Sequence, residues 1–181
     1  MATWIRRFVL HPIPAILIAA ALALACMATS AVGSAVTGTA STAAAYEPIG
    51  TFRYPAANGM KRTVYRFGCR GGTLPNKVMK WSCAGHGNMY LLGHAWGVFD
   101  PLHDAYRDGK LRRGQIAYWT REGVTRRYKV AWIRVVPKTF IYRGMAGSQW
   151  AWNATNTPAI TLQTCWGRTS AYRIIVRLYR V

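Results

Sequence analysis

In "RRYKVAWIRVV" (126–136) and "AYRIIVRLYRV" (171–181) apolar and β-branched residues alternate with basic ones, the period-two pattern of strands that bury one face. Five more runs predict strands: "GMKRTVYRFG", "NMYLLGHA", "GQIAYWTR", "KTFIYRG" and "PAITLQTC", with Gly, Pro or Asn at several of the intervening turns. One segment breaks the alternation. "FDPLHDAYRDG" has Asp100 as a candidate N-cap, Pro101 at the first helical position, apolar residues at helical spacing and Gly109 as a stop. A mostly β domain with one short helix is expected, and many short strands with frequent turns suit a barrel or sandwich.

The N-terminal quarter has a different pattern. Arg6 and Arg7 precede the uncharged "FVLHPIPAILIAAALALACMATSAV", long enough to cross a hydrocarbon core of about 30 Å as a helix of roughly 20 residues. Residues 1–32 are read as a cytoplasmic stub with a membrane anchor or signal helix. Basic residues before the span keep the start of the chain inside and place the rest of the chain outside. A retained anchor is favoured over a cleaved signal because the apolar run exceeds the roughly 7 to 15 residues of a signal core. Residues 33–45, "GSAVTGTASTAAA", are small and polar and read as a flexible linker. The β domain spans residues 46–181.

Charge narrows the partners. The chain carries 24 Lys and Arg against 5 Asp and Glu, a net charge of +19, which favours encounter with polyanions. An exterior location and basic residues scattered without a recognisable binding motif argue against nucleic acid. The charge reads either as a soluble, positively charged surface or as one that contacts a negatively charged wall or membrane face.

Three cysteines fall in the exterior domain. Cys69 and Cys83 enclose the Gly/Pro/Asn-bearing loop "RGGTLPNKVMKWS". In an oxidising space they could close a disulfide worth roughly 3 kcal/mol, the alternative being two free thiols. On that pairing Cys165 is the odd thiol, a candidate nucleophile. Thiolate chemistry needs a base or a cation nearby. His94 ends the apolar strand "NMYLLGH", and Arg173 opens "YRIIV" just after a short turn beyond Cys165, which would set it beside the thiol if the two strands are antiparallel neighbours.

The order His, helix, strands, Cys, turn, Arg resembles the sortase family. "LLGHAWGVFDPLHDAYRDGKLRRGQIAYWTREG" is similar to the segment that delivers the active-site His. "AITLQTCWGRTSAYRIIVRL" resembles the TLxTC strand, its turn and the following Arg. The resemblance covers about Asn88 to the C-terminus and implies a closed eight-stranded β-barrel behind a single-pass anchor, with one or two short helices. His94, Cys165 and Arg173 take the active-site positions, with Thr164 at the substrate or oxyanion position. It also implies transpeptidation: an LPxTG-like C-terminal sorting signal of an exported protein is cleaved and joined to an amine of a cell-wall precursor or pilin. The implied location is a bacterial cell membrane with the catalytic domain outside. No cofactor is expected, and no metal, because Asp100, Asp104, Asp108 and Glu122 are few and sit as helix and turn residues.

Three features depart from the family pattern. Ala95 follows the His where Arg or Asn is frequent, the opening strands are hard to discern in "YEPIGTFRYPAANGMKRTVYRFGC", and the Cys69/Cys83 loop is not a general family feature. Two other readings stand beside this one. An L,D-transpeptidase is suggested by "CAGHGNMY", but "LQTCWG" lacks the Gly that such a nucleophile motif places before Cys. The other is a non-catalytic, membrane-anchored cationic β-domain that binds the wall or a surface protein.

Overall fold

A computed structural model describes residues 46–70, 72–138, 141–142, 145–146 and 149–181. The predicted membrane span and linker, residues 1–45, lie outside the described residues. Among the described residues no helix is long and apolar enough to cross a membrane.

Eight strands close into a barrel in the order β1 (Pro48–Tyr54), β2 (Met60–Phe67), β3 (Val78–Trp81), β4 (Asn88–Leu92), β9 (Ala159–Trp166), β10 (Tyr172–Arg180), β6 (Val124–Pro137) and β5 (Ile116–Arg121). Closure removes the edges that would otherwise template further pairing. The pairs β2/β3 and β4/β9 are parallel, whereas the other neighbours run antiparallel. Among the described residues one α-helix, α1 (Asp100–Arg107), comes after β4, and a short 3₁₀ turn spans Gln149–Trp152.

The alternating residues do what their period requires. On β10, Ile174, Val176 and Leu178 point into the barrel and are fully buried with Phe52, Val64, Leu91, Ile160 and Leu162. Each such side chain contributes about 1.5–3 kcal/mol of burial. Phe99 and Leu102 join the same core from the start of α1, so the helix is fastened by its apolar side. A second cluster lies on the other face of the wall, where Tyr90, Ile175, Val136 and Ala151 pack with Trp81, Trp132, Trp150 and Trp152. The wall is therefore buried on both sides around β9 and β10.

The structure departs from the sequence reading in four places. The helix begins at Asp100, with Phe99 in the cap position and no side-chain capping bond; Asp100 is thus a first-turn acid, which still suits the positive end of the helix dipole. The strand predicted at "KTFIYRG" is a short hairpin outside the barrel, β7 (Ile141–Tyr142) with β8 (Met145–Ala146). The strands β1 and β3 had no clear signature. In β1, Pro48 and a register shift before Gly50 interrupt the alternation. A Cβ on Gly50 would stand 2.5 Å from the Thr120 carbonyl oxygen and 2.6 Å from the Trp119 ring, so glycine lets β5 approach there. β3 has only 4 residues, too few to show a period.

Candidate active site

The sheet order explains why three distant residues meet. β9 lies between β4, its parallel neighbour, and β10, its antiparallel one. The ends of β4 and β9 and the start of β10 therefore fall at one end of the barrel. Cys165 is the next-to-last residue of β9, and Arg173 is its direct cross-strand partner in the register. The parallel register pairs Leu92 with Gln163, so the chain leaving β4 carries Gly93 and His94 alongside Thr164 and Cys165. Two bonds fix this junction: Gly93 N–H donates to the Gln163 carbonyl at 3.3 Å, and the Thr164 hydroxyl donates to the Gly93 carbonyl at 2.9 Å.

Gly93 is required where it stands. A Cβ there would lie 2.7 Å from the Phe99 ring, so its absence lets the start of α1 fold back onto the barrel mouth. The Phe99 N–H then donates to the His94 carbonyl at 3.0 Å and closes the turn that presents the imidazole.

The side chains are held individually. His94 Nε2 lies 2.7 Å from the Leu74 carbonyl oxygen. A carbonyl can only accept, so Nε2 carries the hydrogen and Nδ1 is the nitrogen left to exchange a proton. Arg173 Nη1 donates to the carbonyls of Ser170 (2.7 Å) and Tyr172 (2.8 Å), which leaves Nε and Nη2 as its donors for a ligand oxygen. Cys165 is a free, half-buried thiol. Thr164 is 2 % exposed, and its hydroxyl proton is committed to Gly93.

Two cavities flank this group. One of about 250 Å³ is lined by Phe67, Leu74, Trp81, His94, Cys165 and Arg173, with Thr164 in its wall. The other, about 330 Å³, is lined by Asn76, His94, Ala95, Trp96, Cys165 and Ser170. His94 and Cys165 border both, whereas Arg173 borders only the first.

The segment between β2 and β3 forms one side of the cleft. Cys69 and Cys83 are joined by a disulfide with Cα atoms 5.2 Å apart, continuing the parallel register that pairs Phe67 with Trp81. Pro75 biases Leu74 towards an extended conformation. Asn76 Oδ1 accepts the Val98 N–H at 2.8 Å and so ties this segment to the turn after His94. Leu74 and Asn76 carry no signal in the sequence. Leu74 acts through its backbone, which no side-chain pattern reveals, and Asn76 reads as an ordinary turn residue.

On the remaining side α1 packs by its aromatic and imidazole groups. His103 lies between Trp96 and Trp166, with ring centroids 5.6 Å and 4.9 Å away, and Tyr106 meets Trp166 edge-on at 4.9 Å. The residue after Cys165 is thereby wedged against the helix. His103 shares a cluster with Asp100 and Asp104 whose donor atoms lie within 4.8 Å of one another. Asp104 also pairs with Arg107 at 2.8 Å and lies 3.4 Å from His103 Nδ1.

A closed barrel that sets a free cysteine opposite an arginine and shares a cavity with a histidine has the parts of a cysteine acyl-transfer site. The chain belongs to the sortase family, a family of transpeptidases: the family profile described as "Sortase domain" matches residues 48–181. Among solved structures it is similar to the lid mutant of sortase A from Corynebacterium diphtheriae (22% identity, 77% of this chain and 73% of that one, TM-score 0.58). It is also similar to sortase C from Clostridium perfringens SM101 (20%, 75% and 70%, TM-score 0.53) and to sortase A from Listeria monocytogenes (19%, 74% and 87%, TM-score 0.54). At these identities the structural likeness is one of fold. No curated protein matches the chain.

Proposed function

We propose that this chain is a membrane-anchored, exported cysteine transpeptidase that cleaves an LPxTG-like C-terminal sorting signal and joins the acyl group to a cell-wall precursor or pilin amine. The observation that carries the reading is the β9/β10 register, which sets Arg173 opposite Cys165 on strands that also share a cavity with His94.

The Cys165 thiolate adds to the carbonyl carbon of the scissile peptide. As the tetrahedral adduct collapses the C–N bond breaks, the leaving amine takes a proton from His94, and a thioester to Cys165 remains. An incoming amine then attacks the thioester, gives its proton back to His94, and releases the thiolate with a new amide. Arg173, already oriented by two turn carbonyls, directs its remaining N–H groups at the developing oxyanion. Thr164 serves by holding the ends of β4 and β9 together, since its hydroxyl is used on Gly93. The sorting peptide occupies the cavity that contains Arg173, and the amine enters from the one bordered by Ala95, Trp96 and Ser170.

The test uses the full-length chain in detergent with a library of fluorogenic sorting-signal peptides and an amine acceptor. Cleavage with amide formation, lost in Cys165→Ala, is expected. Cleavage that persists in Cys165→Ala would reject the nucleophile, and no turnover of any peptide would favour a non-catalytic wall-binding domain.

A further inference from the structure

Arg177 is the observation that the acyl-transfer site leaves unused. It lies on β10 four residues beyond Arg173, on the same face of the strand and roughly 13 Å farther along it. Its side chain is only 5 % exposed. Nη2 donates to the Ala151 carbonyl at 2.6 Å, the guanidinium sits 5.3 Å from the Trp132 ring centroid, and Nε is buried without a partner.

A buried charge ordinarily has a counter-ion, and among the described residues no carboxylate pairs with this one. From Gly123 to Val181 the sequence contains no Asp or Glu. Of the five acids in the chain, Glu47, Asp104, Asp108 and Glu122 pair with other cations, and Asp100 sits in the first turn of α1 beside His103. No ion pair involving Arg177 occurs among the described residues. Nor is a guanidinium needed to pin the 3₁₀ turn to the sheet, because Asn88 Nδ2 already donates to the carbonyls of Ala151 (2.9 Å) and Asn153 (3.0 Å). Burial pushes the Arg177 guanidinium below its ordinary range, while Tyr179, by its charge and by a side-chain hydrogen bond, and Tyr90 oppose the shift.

Arg177 borders an open cavity of about 590 Å³ together with Ala154, Thr155, Asn156, Thr157 and Tyr179. The Thr155 hydroxyl in the same wall is also buried without a partner. This cavity shares no lining residue with the two that hold Cys165. One fixed cation surrounded by hydroxyl and amide groups matches a monoanion with two acceptor oxygens, whereas a phosphate dianion would want a second cation.

We infer that the cavity bordered by Arg177, Thr155 and Tyr179 is a binding site for a carboxylate, separate from the Cys165 cleft. The carboxylate supplies the missing counter-ion and accepts from the guanidinium and the Thr155 hydroxyl. Asn156 and Thr157, both exposed, form the entrance, so a peptide bearing a free carboxylate can present its end there.

The full-length, ¹⁵N-labelled chain in detergent tests this by titration with an N-acetyl dipeptide that has a free C-terminal carboxylate. Its C-terminal amide and inorganic phosphate serve as parallel probes. The Arg177 Nε–H resonance, identified by its loss in Arg177→Lys, should move saturably with the free acid and stay in place with the amide. Thr155→Val should weaken the free acid about tenfold, the loss of one hydrogen bond to a charged group, and Cys165→Ala should leave the titration unchanged. A resonance that stays in place with every probe would reduce Arg177 to a strut for Ala151. Equal movement with the amide, or tighter binding of phosphate than of carboxylate, would likewise overturn the assignment.

Discussion

The two sides of the Cys165 cleft are built by different means. One is the β9/β10 hairpin, where a continuous backbone ladder from Tyr172↔Trp166 to Tyr179↔Ala159 fixes Cys165 against Arg173. The other is the segment between β2 and β3, whose described residues are held by a disulfide, by hydrogen bonds of Leu74 with His94 and Asn76 with Val98, and by Lys77 Nζ 4.5 Å from the Tyr65 ring centroid. The ladder shares its burden among many bonds and both faces of a packed wall. The loop depends on a few separate contacts. The thiol and the arginine are thus set by the barrel's own ladder, whereas the imidazole is held by contacts from a segment outside it.

Changes on the ladder side should have the largest effect and tell on chemistry alone. Cys165→Ala should reduce transpeptidation to background. Arg173→Ala should lower kcat by roughly 10²–10³, the range for losing an oxyanion donor. Neither change removes a core contact, since the Arg173 donors go to turn carbonyls, so thermal melting should move little. If Arg173→Ala lost its activity only in step with its stability, the catalytic reading of the ladder would fail.

The loop side should show the opposite signature, in which stability and turnover fall together. Replacing both Cys69 and Cys83 by Ser removes a constraint worth about 3 kcal/mol for a closed loop of this size. It also releases the root of the segment that carries Leu74. Denaturant unfolding should register the stability loss. Steady-state kinetics should show a fall in kcat of about tenfold, smaller than for Arg173→Ala, because the ladder still presents the thiol. An unchanged kcat in a destabilised double mutant would mean that His94 is positioned without the loop.

The same contrast governs what could be read from the residues in advance. On β9 and β10 the ladder imposes period two, and the Cys and Arg of "TLQTCWGRTSAYR" stand out from it because a strand converts spacing into position. His94 was legible as the polar end of an apolar run. The loop has no such rule. Leu74 contributes a carbonyl that any residue would carry, and Asn76 contributes one acceptor that its type only permits. β1 was obscured by Pro48 and Gly50, β3 by its brevity, and the cap at Phe99 by an Asp100 that is better suited to the position on sequence preference alone. Arg177 looked like one more basic residue on a cationic domain, and only its burial sets it apart.

Thr164 lies where the two sides join. Thr164→Val keeps the shape but removes the hydroxyl that Gly93 accepts from, leaving a buried carbonyl short of one partner at a cost of about 1–3 kcal/mol. Urea unfolding should detect that loss. Turnover should fall by less than tenfold, because the Gly93 N–H still meets the Gln163 carbonyl. Thr164→Ser should recover most of both, and failure of Ser to rescue would point to packing by the methyl group instead.

Asn76→Ala should give the smallest effect and divide the loop's role most finely. It removes the acceptor of the Val98 N–H but leaves the disulfide and the Leu74 carbonyl. Gly97 bears on the same contact: a Cβ there would meet Asn76 Oδ1 at 2.3 Å, so Gly97→Ala would push the two segments apart from the other direction. The Val98 N–H is at an exposed position and water can replace the lost acceptor, so stability should fall by no more than about 1 kcal/mol. Because the bond secures the turn after His94 and not the thiol, kcat should drop a few-fold while thiol alkylation of the free enzyme is unaltered. A variant whose alkylation rate fell in step with kcat would show that the loop acts on Cys165, and the division between a ladder that sets the thiol and a loop that sets the imidazole would have to be abandoned.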